Sequence, residues 1–352
     1  MNLNQMRGKI DEIDDKILEL ITARVEIALQ IGKIKKREEK AFLVPDREKE
    51  IFKRLLLQNT SALPERSIRA IYREILSASL ALQYPLCIAY LGPEATFTHL
   101  AALKRFGSSL KYLPVKRVAD VFLEVGRNHA DYGVVPVENS MEGVITHTLD
   151  MFIDSELKIW AEVLIQVSHN LLSNTSIDEI RQVYSHPQAF AQCRLWLESN
   201  LPGAALKEVS STAEAARLAA SEKDSAAIAS DAASQLYNLE SIVEGIEDSG
   251  PNFTRFLVIS QSSPEKTGND KTSIMFSIKD RVGALHDMLR PFTKHNISLT
   301  KIESRPSGRK AWDYFFFVDM KGHQADTNVA RALKELEEDC IYVKILGSYP
   351  AA

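Results

Sequence analysis

Three patterns, one after another along the chain, predict a multidomain protein with an all-helical segment, an α/β region and a smaller α+β region. From Leu3 to Ile34 apolar residues step by three and four. From Pro85 strand-like runs alternate with helical ones. From Thr272 the order is strand, helix, two strands, helix, strand. The 352 residues suit two or three domains. With 45% hydrophobic residues there is enough apolar surface for ordinary cores, and a net charge of −4 gives no sign of nucleic acid or a membrane surface as partner.

In the first segment the seam runs Leu3, Met6, Ile10, Ile13, Ile17, Leu20, then Ile27, Ile31 and Ile34. A helix of that span is roughly 50 Å long. Two shorter helices follow, one starting near Asp46 after Pro45 and one running from Pro64 to about Gln83. They cannot cover so long a first helix, so a second copy of the chain is expected on it, as an intertwined helical dimer. Arg24 fills a gap in the seam, and Lys35 sits one turn beyond Ile31. The stripe Ile68, Tyr72, Ile75 of the third helix continues with Ser79 and Gln83, polar where apolar residues are expected. An unpaired buried cation is costly, so Arg24 needs an anion. A glutamate of a partner helix could supply it, or the side chain could snorkel to water. Taken together, Arg24, Lys35 and Arg47 supply charge while Ser79 and Gln83 supply neutral hydrogen bonds, which suits a small dianion. Arg7 lies about 25 Å along the helix from Arg24, out of reach in one chain but not in a dimer.

The stretch MRGKIDEIDDKILELITARVEIALQIGKIKK, with PDREKEI and SASLALQ, resembles the all-helical chorismate mutase domain over its full length. The resemblance implies that Arg24, with Arg7 of the other subunit, holds the two carboxylates of chorismate. It implies that Lys35 and Gln83 face the ether oxygen of the breaking bond, that Glu48 holds the ring hydroxyl, and that Arg47 and Ser79 complete the shell. Relatives carry an acidic residue where this chain has Val44, which can make only a backbone contact. The rearrangement to prephenate is unimolecular and needs no nucleophile, because orientation and fixed charge at the ether oxygen suffice.

In the middle region LCIAYLG reads as a buried strand followed by a turn and the helical THLAALKRF. ADYGVVPVENS with THTLDMFI, QVYSHPQAFAQCRLWLE and KEVSSTAEAARLAA repeat the plan, which predicts mostly parallel strands. The span from Pro85 to Ser260 is long enough for two lobes with a cleft. Strand-to-helix junctions carry Thr96 and Thr98, then Glu138, Asn139 and Ser140, then Ser185 and Gln188, then Ser211 and Thr212. N-capping explains each singly, and Ser211 with Glu214 reads as a capping box. Gathered at the C-terminal edges of strands, beside helix N-termini, they point to an anionic ligand.

GPEATFTH, VVPVENSMEG, YSHPQAF, SSTAEAA and NFTRF resemble prephenate dehydratase in order and spacing. That family implies the two-lobed fold of periplasmic binding proteins. Ala95 departs from the glycine usual in the first motif. Loss of carbon dioxide and hydroxide from prephenate makes an aromatic ring, so the driving force is large and the poor leaving group is the obstacle. The resemblance places Thr254 as the hydrogen-bond donor to that hydroxyl. Thr96, Glu138, Asn139, Ser140, Gln188 and Arg255 are the candidate residues around the substrate. Arg255 could bind a carboxylate, place Thr254, or form a structural ion pair.

SSPEKTGNDK is a polar linker. Beyond it, strand Thr272 to Ile278, helix Ala284 to His295, strand Ile297 to Glu303, a hairpin, strand Trp312 to Met320, helix Asp326 to Asp339 and strand Ile341 to Leu346 give the βαββαβ order of ferredoxin-like folds. RVGALHDML and IESRPSGRKAWDYFFFVDM resemble the ACT domain attached to prephenate dehydratases. The resemblance implies a phenylalanine site at a dimer interface made by Gly283, Ala284, Leu285, Glu303, Ser304, Arg305 and Pro306, with glycine at 283 letting backbone approach the ligand. His286 stands where valine is common.

The domains expected are therefore 1–84, 85–260 and 271–352. The reading is an enzyme that makes prephenate from chorismate and phenylpyruvate from prephenate, inhibited by L-phenylalanine, working as a homodimer or higher homo-oligomer. An enzyme with one inactive site and a non-catalytic amino-acid sensor are the rivals. MNLNQMRGKIDEIDDK is too charged for a signal peptide, and no apolar run reaches ~18 residues. Cys87, Cys193 and Cys340 are far apart with no CxxC, so a reduced, cytoplasmic protein with free buried thiols is expected. The eight histidines form no HxxxH or HExxH pair, and neither a metal nor a cofactor is expected.

Overall fold

The computed structural model describes residues 2–279, 281–306 and 314–352. The chain forms two compact units, Met1–Cys87 with Phe106–Lys111, and Ile88–Arg105 with Tyr112–Ala352. The first holds three helices, α1 (Leu3–Arg37), α2 (Pro45–Gln58) and α3 (Glu65–Gln83). Asn2 starts α1 with a full capping box to Gln5, and Lys35, Lys36 and Arg37 complement its C-terminal dipole. Only Ala28 and Gly32 of α1 are buried, while the seam from Leu3 to Ile34 lies open, with Leu20 70% and Ile10 57% exposed. So long an uncovered apolar stripe is the mark of an interaction face.

In the second unit the chain continues through β1 (Cys87–Leu91), α4 (Phe97–Phe106), β2 (Lys111–Val115), α5 (Val118–Gly126), β3 (Tyr132–Asn139), β4 (Gly143–Val144), α6 (Thr146–Asp154) and β5 (Lys158–Val167). It then crosses to a second lobe made of β6 (Asn170–Ser173), β7 (Gln182–Ser185), α7 (Pro187–Gln192), α8 (Arg194–Asn200), β8 (Ala205–Glu208), α9 (Thr212–Ser221), β9 (Ser225–Ala229), α10 (Asp231–Tyr237) and β10 (Glu240–Val243). It returns as β11 (Asn252–Ser260). The first sheet has the order β2-β1-β3-β11-β5, with β4 on β3, and the second β10-β6-β9-β7-β8. The two expected lobes are present; the mostly parallel strands are not. β11 comes back from the other lobe and inserts between β3 and β5, antiparallel to both, and β6 runs antiparallel to β9 and β10. Alternation of strand and helix in a sequence does not reveal a strand that returns. The two crossings are bonded together, Ile246 N to His169 O at 2.8 Å and His169 N to Glu247 Oε2 at 3.0 Å.

Phe256, Leu257, Val258 and Ile259 of β11 are all 2% exposed or less. Burial of each is worth roughly 1.5–3 kcal/mol, which makes this strand the anchor of the first lobe. The remainder is β12 (Asp270–Ser277), α11 (Ala284–Lys294), β13 (Leu299–Pro306), β14 (Tyr314–Lys321), α12 (Thr327–Asp339) and β15 (Tyr342–Pro350). The sheet order β13-β14-β12-β15 is that of the expected ferredoxin-like fold. Its hairpin, with Trp312, lies outside the described residues. Ile274, Phe276, Val318 and Met320 face the two helices. By strand alternation Ser273 and Asp319 face the other way, onto the first lobe.

Candidate functional site

In the helical unit Arg24 Nη1 donates to Ser79 Oγ at 2.6 Å, and Ser79 Oγ donates to Ile75 O at 2.7 Å. Among the described residues Arg24 forms no ion pair. Burial lowers its pKa, partly offset by Tyr72, and burial likewise lowers that of Lys35. Lys35 Nζ donates to Phe42 O at 2.9 Å, and Phe42 stacks on Tyr84 at 4.7 Å, which ties the loop after α1 to the end of α3. Gly32 makes room for Gln83: a Cβ there would lie 2.9 Å from Gln83 Cγ. The sequence stripe thus brings Arg24, Lys35, Ser79 and Gln83 onto the facing surfaces of α1 and α3. Arg7 is exposed far along α1, Val44 is the half-buried N-cap of α2, and Glu48 is half-buried. Arg47 is exposed and paired with Glu50 at 3.0 Å.

In the second unit Thr254 is 8% exposed and lines a cavity of about 500 Å³ between the lobes. The N-terminal turns of α4, α6 and α9 reach it through Thr96, Thr146 and Thr212, and His186 and Gln188 reach it from α7. None of the described residues lining it is Lys or Arg. Anion binding here falls to helix N-termini, hydroxyls and amides. Ser211 Oγ caps Glu214 N at 3.1 Å, but the Glu214 side chain turns to Arg217, so the expected box is only half formed. Thr96 Oγ1 donates to Pro93 O at 2.9 Å. Ala95 has φ +62° and is buried, which explains the usual glycine: the left-handed region costs a residue with a Cβ about 1–2 kcal/mol.

The Thr254 hydroxyl has a direction. Asn139 Oδ1 accepts from Met141 N at 2.9 Å and Glu142 N at 3.1 Å, which fixes the amide. Both hydrogens of Asn139 Nδ2 are then used, on Asn252 Oδ1 at 2.8 Å and Thr254 Oγ1 at 2.9 Å. Thr254 therefore accepts from Asn139, and its own proton is left for the cavity. Ser140 does not line the cavity; its Oγ accepts from Phe253 N at 2.9 Å and supports the strand. His186 Nδ1 accepts from Gln188 N at 3.3 Å, so the proton of the neutral ring sits on Nε2.

Two expected substrate ligands point elsewhere. Arg255 follows Thr254 on the strand and so faces the opposite side. Its guanidinium binds Glu162 at 2.7 Å, Asp319 at 2.6 Å and the Tyr349 hydroxyl at 2.9 Å. Burial alone would lower its pKa, but Tyr349, Asp319 and Glu162 outweigh burial and raise it. Of its three sequence readings, the structural ion pair is the one found. Glu138, opposite Arg255 in register, goes with it: its carboxylate binds Lys301 at 2.8 Å and lies 3.7 Å from Arg255.

In the ferredoxin-like region a second cavity of about 500 Å³ is lined by Gly283, Ala284, Leu285, His286, Tyr314 and Phe316, among others. Gly283 has φ +83°, which suits the turn into α11, and open space where a Cβ would stand. Glu303, Ser304, Arg305 and Pro306 do not line this cavity. Arg305 instead makes a two-pronged ion pair with Asp150 of α6, at 2.8 and 3.1 Å.

Sequence reasoning passed over Glu142, Gln192, Asn252 and His169, all of which line the first cavity. Two signals were available. Asn252 stands two residues before Thr254, on the same strand face, and Gln192 stands one helical turn after Gln188. Among the described residues no helix is long and apolar enough to cross a membrane, and no cluster of three His, Cys, Asp or Glu could hold a metal.

Family models for chorismate mutase type II, prephenate dehydratase and the ACT domain match residues 6–84, 88–264 and 272–338. A bifunctional chorismate mutase/prephenate dehydratase of Aquifex aeolicus is 50% identical over 355 residues, covering 99% of this chain and 98% of that protein. One of Stutzerimonas stutzeri is 43% identical with the same coverage. The crystal structure of a prephenate dehydratase from Arthrobacter aurescens in complex with L-Phe aligns with a TM-score of 0.71 at 34% identity, covering 76% of this chain and 90% of that one. With both catalytic domains and the ACT domain matched in order along its whole length, the chain belongs to the bifunctional chorismate mutase/prephenate dehydratase family.

Proposed function

We propose that the chain catalyses two consecutive steps in the cytoplasm, chorismate to prephenate in the helical unit and prephenate to phenylpyruvate in the two-lobed cleft, with L-phenylalanine as feedback inhibitor. The observation that carries it is the Thr254 hydroxyl, held as an acceptor by Asn139 so that its proton faces a cavity flanked by helix N-termini.

In the first step Arg24 grips a carboxylate, with Arg7 of a second copy on the other, and Lys35 and Gln83 stabilise charge on the ether oxygen. Val44, Arg47, Glu48 and Ser79 complete that pocket. The exposed seam of α1 supports the dimer that such a site needs. In the second step the bond to the ring carboxylate breaks and its electrons complete the aromatic ring. The C–O bond breaks, and the leaving oxygen, hydrogen-bonded by Thr254, takes up one proton. Prephenate and a proton become phenylpyruvate, carbon dioxide and water. Asn139, Thr96 and Gln188 shape this site. Phenylalanine in the cavity beside Gly283 would act through the ion pairs that join this region to the first lobe, Arg255–Asp319, Lys301–Glu138 and Arg305–Asp150. Inhibition requires different affinity for two arrangements of the lobes.

The test is to feed the purified full chain with chorismate and follow phenylpyruvate by its ultraviolet spectrum, with and without phenylalanine. Phenylpyruvate formation suppressed by phenylalanine is expected. Prephenate accumulating without phenylpyruvate would leave a mutase alone, and no turnover at all would leave a sensor.

A further inference from the structure

We propose that Glu142 is a positioning residue for the dehydratase, its carboxylate anchoring Gln192 and Asn252 in a closed ring of hydrogen bonds that holds Asn139, and through it Thr254, aimed at the leaving group. The proposal rests on Thr254 being the donor.

Four residues form the ring, and every bond runs the same way. Glu142 N donates to Asn139 Oδ1 at 3.1 Å, and Asn139 Nδ2 to Asn252 Oδ1 at 2.8 Å. Asn252 Nδ2 donates to Gln192 Oε1 at 3.0 Å, and Gln192 Nε2 returns to Glu142 Oε1 at 2.8 Å. The ring joins the lobes, because Gln192 belongs to α7 and the other three to the first lobe. Its remaining Asn139 hydrogen goes to Thr254.

A side-chain amide can turn over and exchange donor for acceptor, but an ionised carboxylate accepts only. Backbone N–H groups of Met141 and Glu142 fix the Asn139 amide, and of the remaining side chains in the ring Glu142 is the one that cannot reverse, so its carboxylate sets Gln192 and, through it, Asn252. If Gln192 turned over, its NH2 would meet Asn252 Nδ2, now 3.0 Å from Gln192 Oε1. The other oxygen of Glu142 accepts from Gln188 Nε2, a second hold on the same helix. A carboxylate on the rim of a cleft for a dianion opposes substrate binding. Its presence there is explained by orientation of the catalytic hydroxyl, not by affinity.

The test compares full-length Glu142→Ala, Glu142→Gln, Gln192→Glu and the exchange Glu142→Gln/Gln192→Glu with prephenate as substrate. Mutase turnover and thermal unfolding are recorded on the same samples. Glu142→Ala is expected to lower kcat about tenfold or more while KM is unchanged or falls, since a charge-assisted hydrogen bond is lost and a repelling charge removed. Glu142→Gln keeps one acceptor and falls between it and wild type. Gln192→Glu sets two carboxylates face to face and loses kcat. The exchange restores the ring, because the amide introduced at position 142 donates to the carboxylate introduced at position 192, which still accepts from Asn252. It therefore recovers kcat relative to Gln192→Glu. Wild-type kcat in Glu142→Ala, or an exchange no better than Gln192→Glu, overturns the proposal. Thr254→Val in the same assay separates the two claims: an active Thr254→Val removes the donor reading itself, whereas an inactive one with an unaffected Glu142→Ala removes only the ring.

Discussion

Asn139→Asp replaces one nitrogen by oxygen and leaves shape and volume in place. The new carboxylate keeps its bonds from Met141 N and Glu142 N, at 2.9 and 3.1 Å. It loses both donations, to Asn252 Oδ1 at 2.8 Å and Thr254 Oγ1 at 2.9 Å. Asn252 is 2% exposed, and its oxygen is left against a carboxylate with Ser140 Oγ, at 3.4 Å, as its remaining donor. At about 1–3 kcal/mol for a buried acceptor that loses its main donor, the fold loses roughly that much. The effect on chemistry is separate. Thr254 now donates to the new carboxylate and turns its proton away from the cavity, which removes a proton donor worth about 10²–10⁴-fold. That factor is about 3–5 kcal/mol of barrier. Asn139→Ala is the comparison: it loses the same two bonds but offers no acceptor to capture the hydroxyl. Measured as kcat for phenylpyruvate formation, Asn139→Asp should be at least about tenfold slower than Asn139→Ala even where their unfolding temperatures match. An Asn139→Asp enzyme as fast as Asn139→Ala would refute the directional argument.

Arg255→Ala leaves Asp319 buried without its cation and Glu162 with Lys271 alone. It should cost about 3–5 kcal/mol of stability, read as a fall in unfolding temperature on the order of 10 °C; unchanged stability with a raised KM for prephenate would return Arg255 to the substrate. Arg24→Leu should abolish most mutase turnover, about 10²–10³-fold, with unfolding temperature equal or higher, because a half-buried cation with no carboxylate opposes folding; a large loss of stability would show a structural role. Arg7→Ala and Arg24→Ala, each inactive as a mutase, should regain activity when co-refolded, since mixed dimers contain one intact site; no recovery would place Arg7 outside the site. Burial holds the pKa values of His99, His169 and His186 below the usual value, the fold therefore binding fewer protons than the unfolded chain. Their contribution is present above the unfolded value near pH 6.5 and is lost as pH falls below it. Denaturant unfolding should show wild type weakening more steeply than His169→Asn between about pH 7.5 and 5.5; equal slopes would contradict this.

The seam of α1 and the polar breaks at Arg24, Lys35, Ser79 and Gln83 were legible because periodicity is a local property. Strand alternation separated Thr254 from Arg255, but not which face met the cavity. That depended on Glu162 and Asp319, far away in sequence, arriving on the Arg255 side. The position of β11 between β3 and β5 was hidden for the same reason: a strand's neighbours are chosen by the whole sheet. Ala95 shows a subtler limit, since its left-handed backbone is imposed by the turn before α4 and not by its own preference. Glu142 stands inside a legible motif, yet its link to Gln192 exists only when the two lobes come together.

The second reaction depends most directly on the Thr254 hydroxyl, and the measurement is chorismate turnover by Thr254→Val and Thr254→Ser in the full chain. Thr254→Val should make prephenate at the wild-type rate and accumulate it, while Thr254→Ser should go on to phenylpyruvate. Phenylpyruvate from Thr254→Val at the wild-type rate would contradict that dependence.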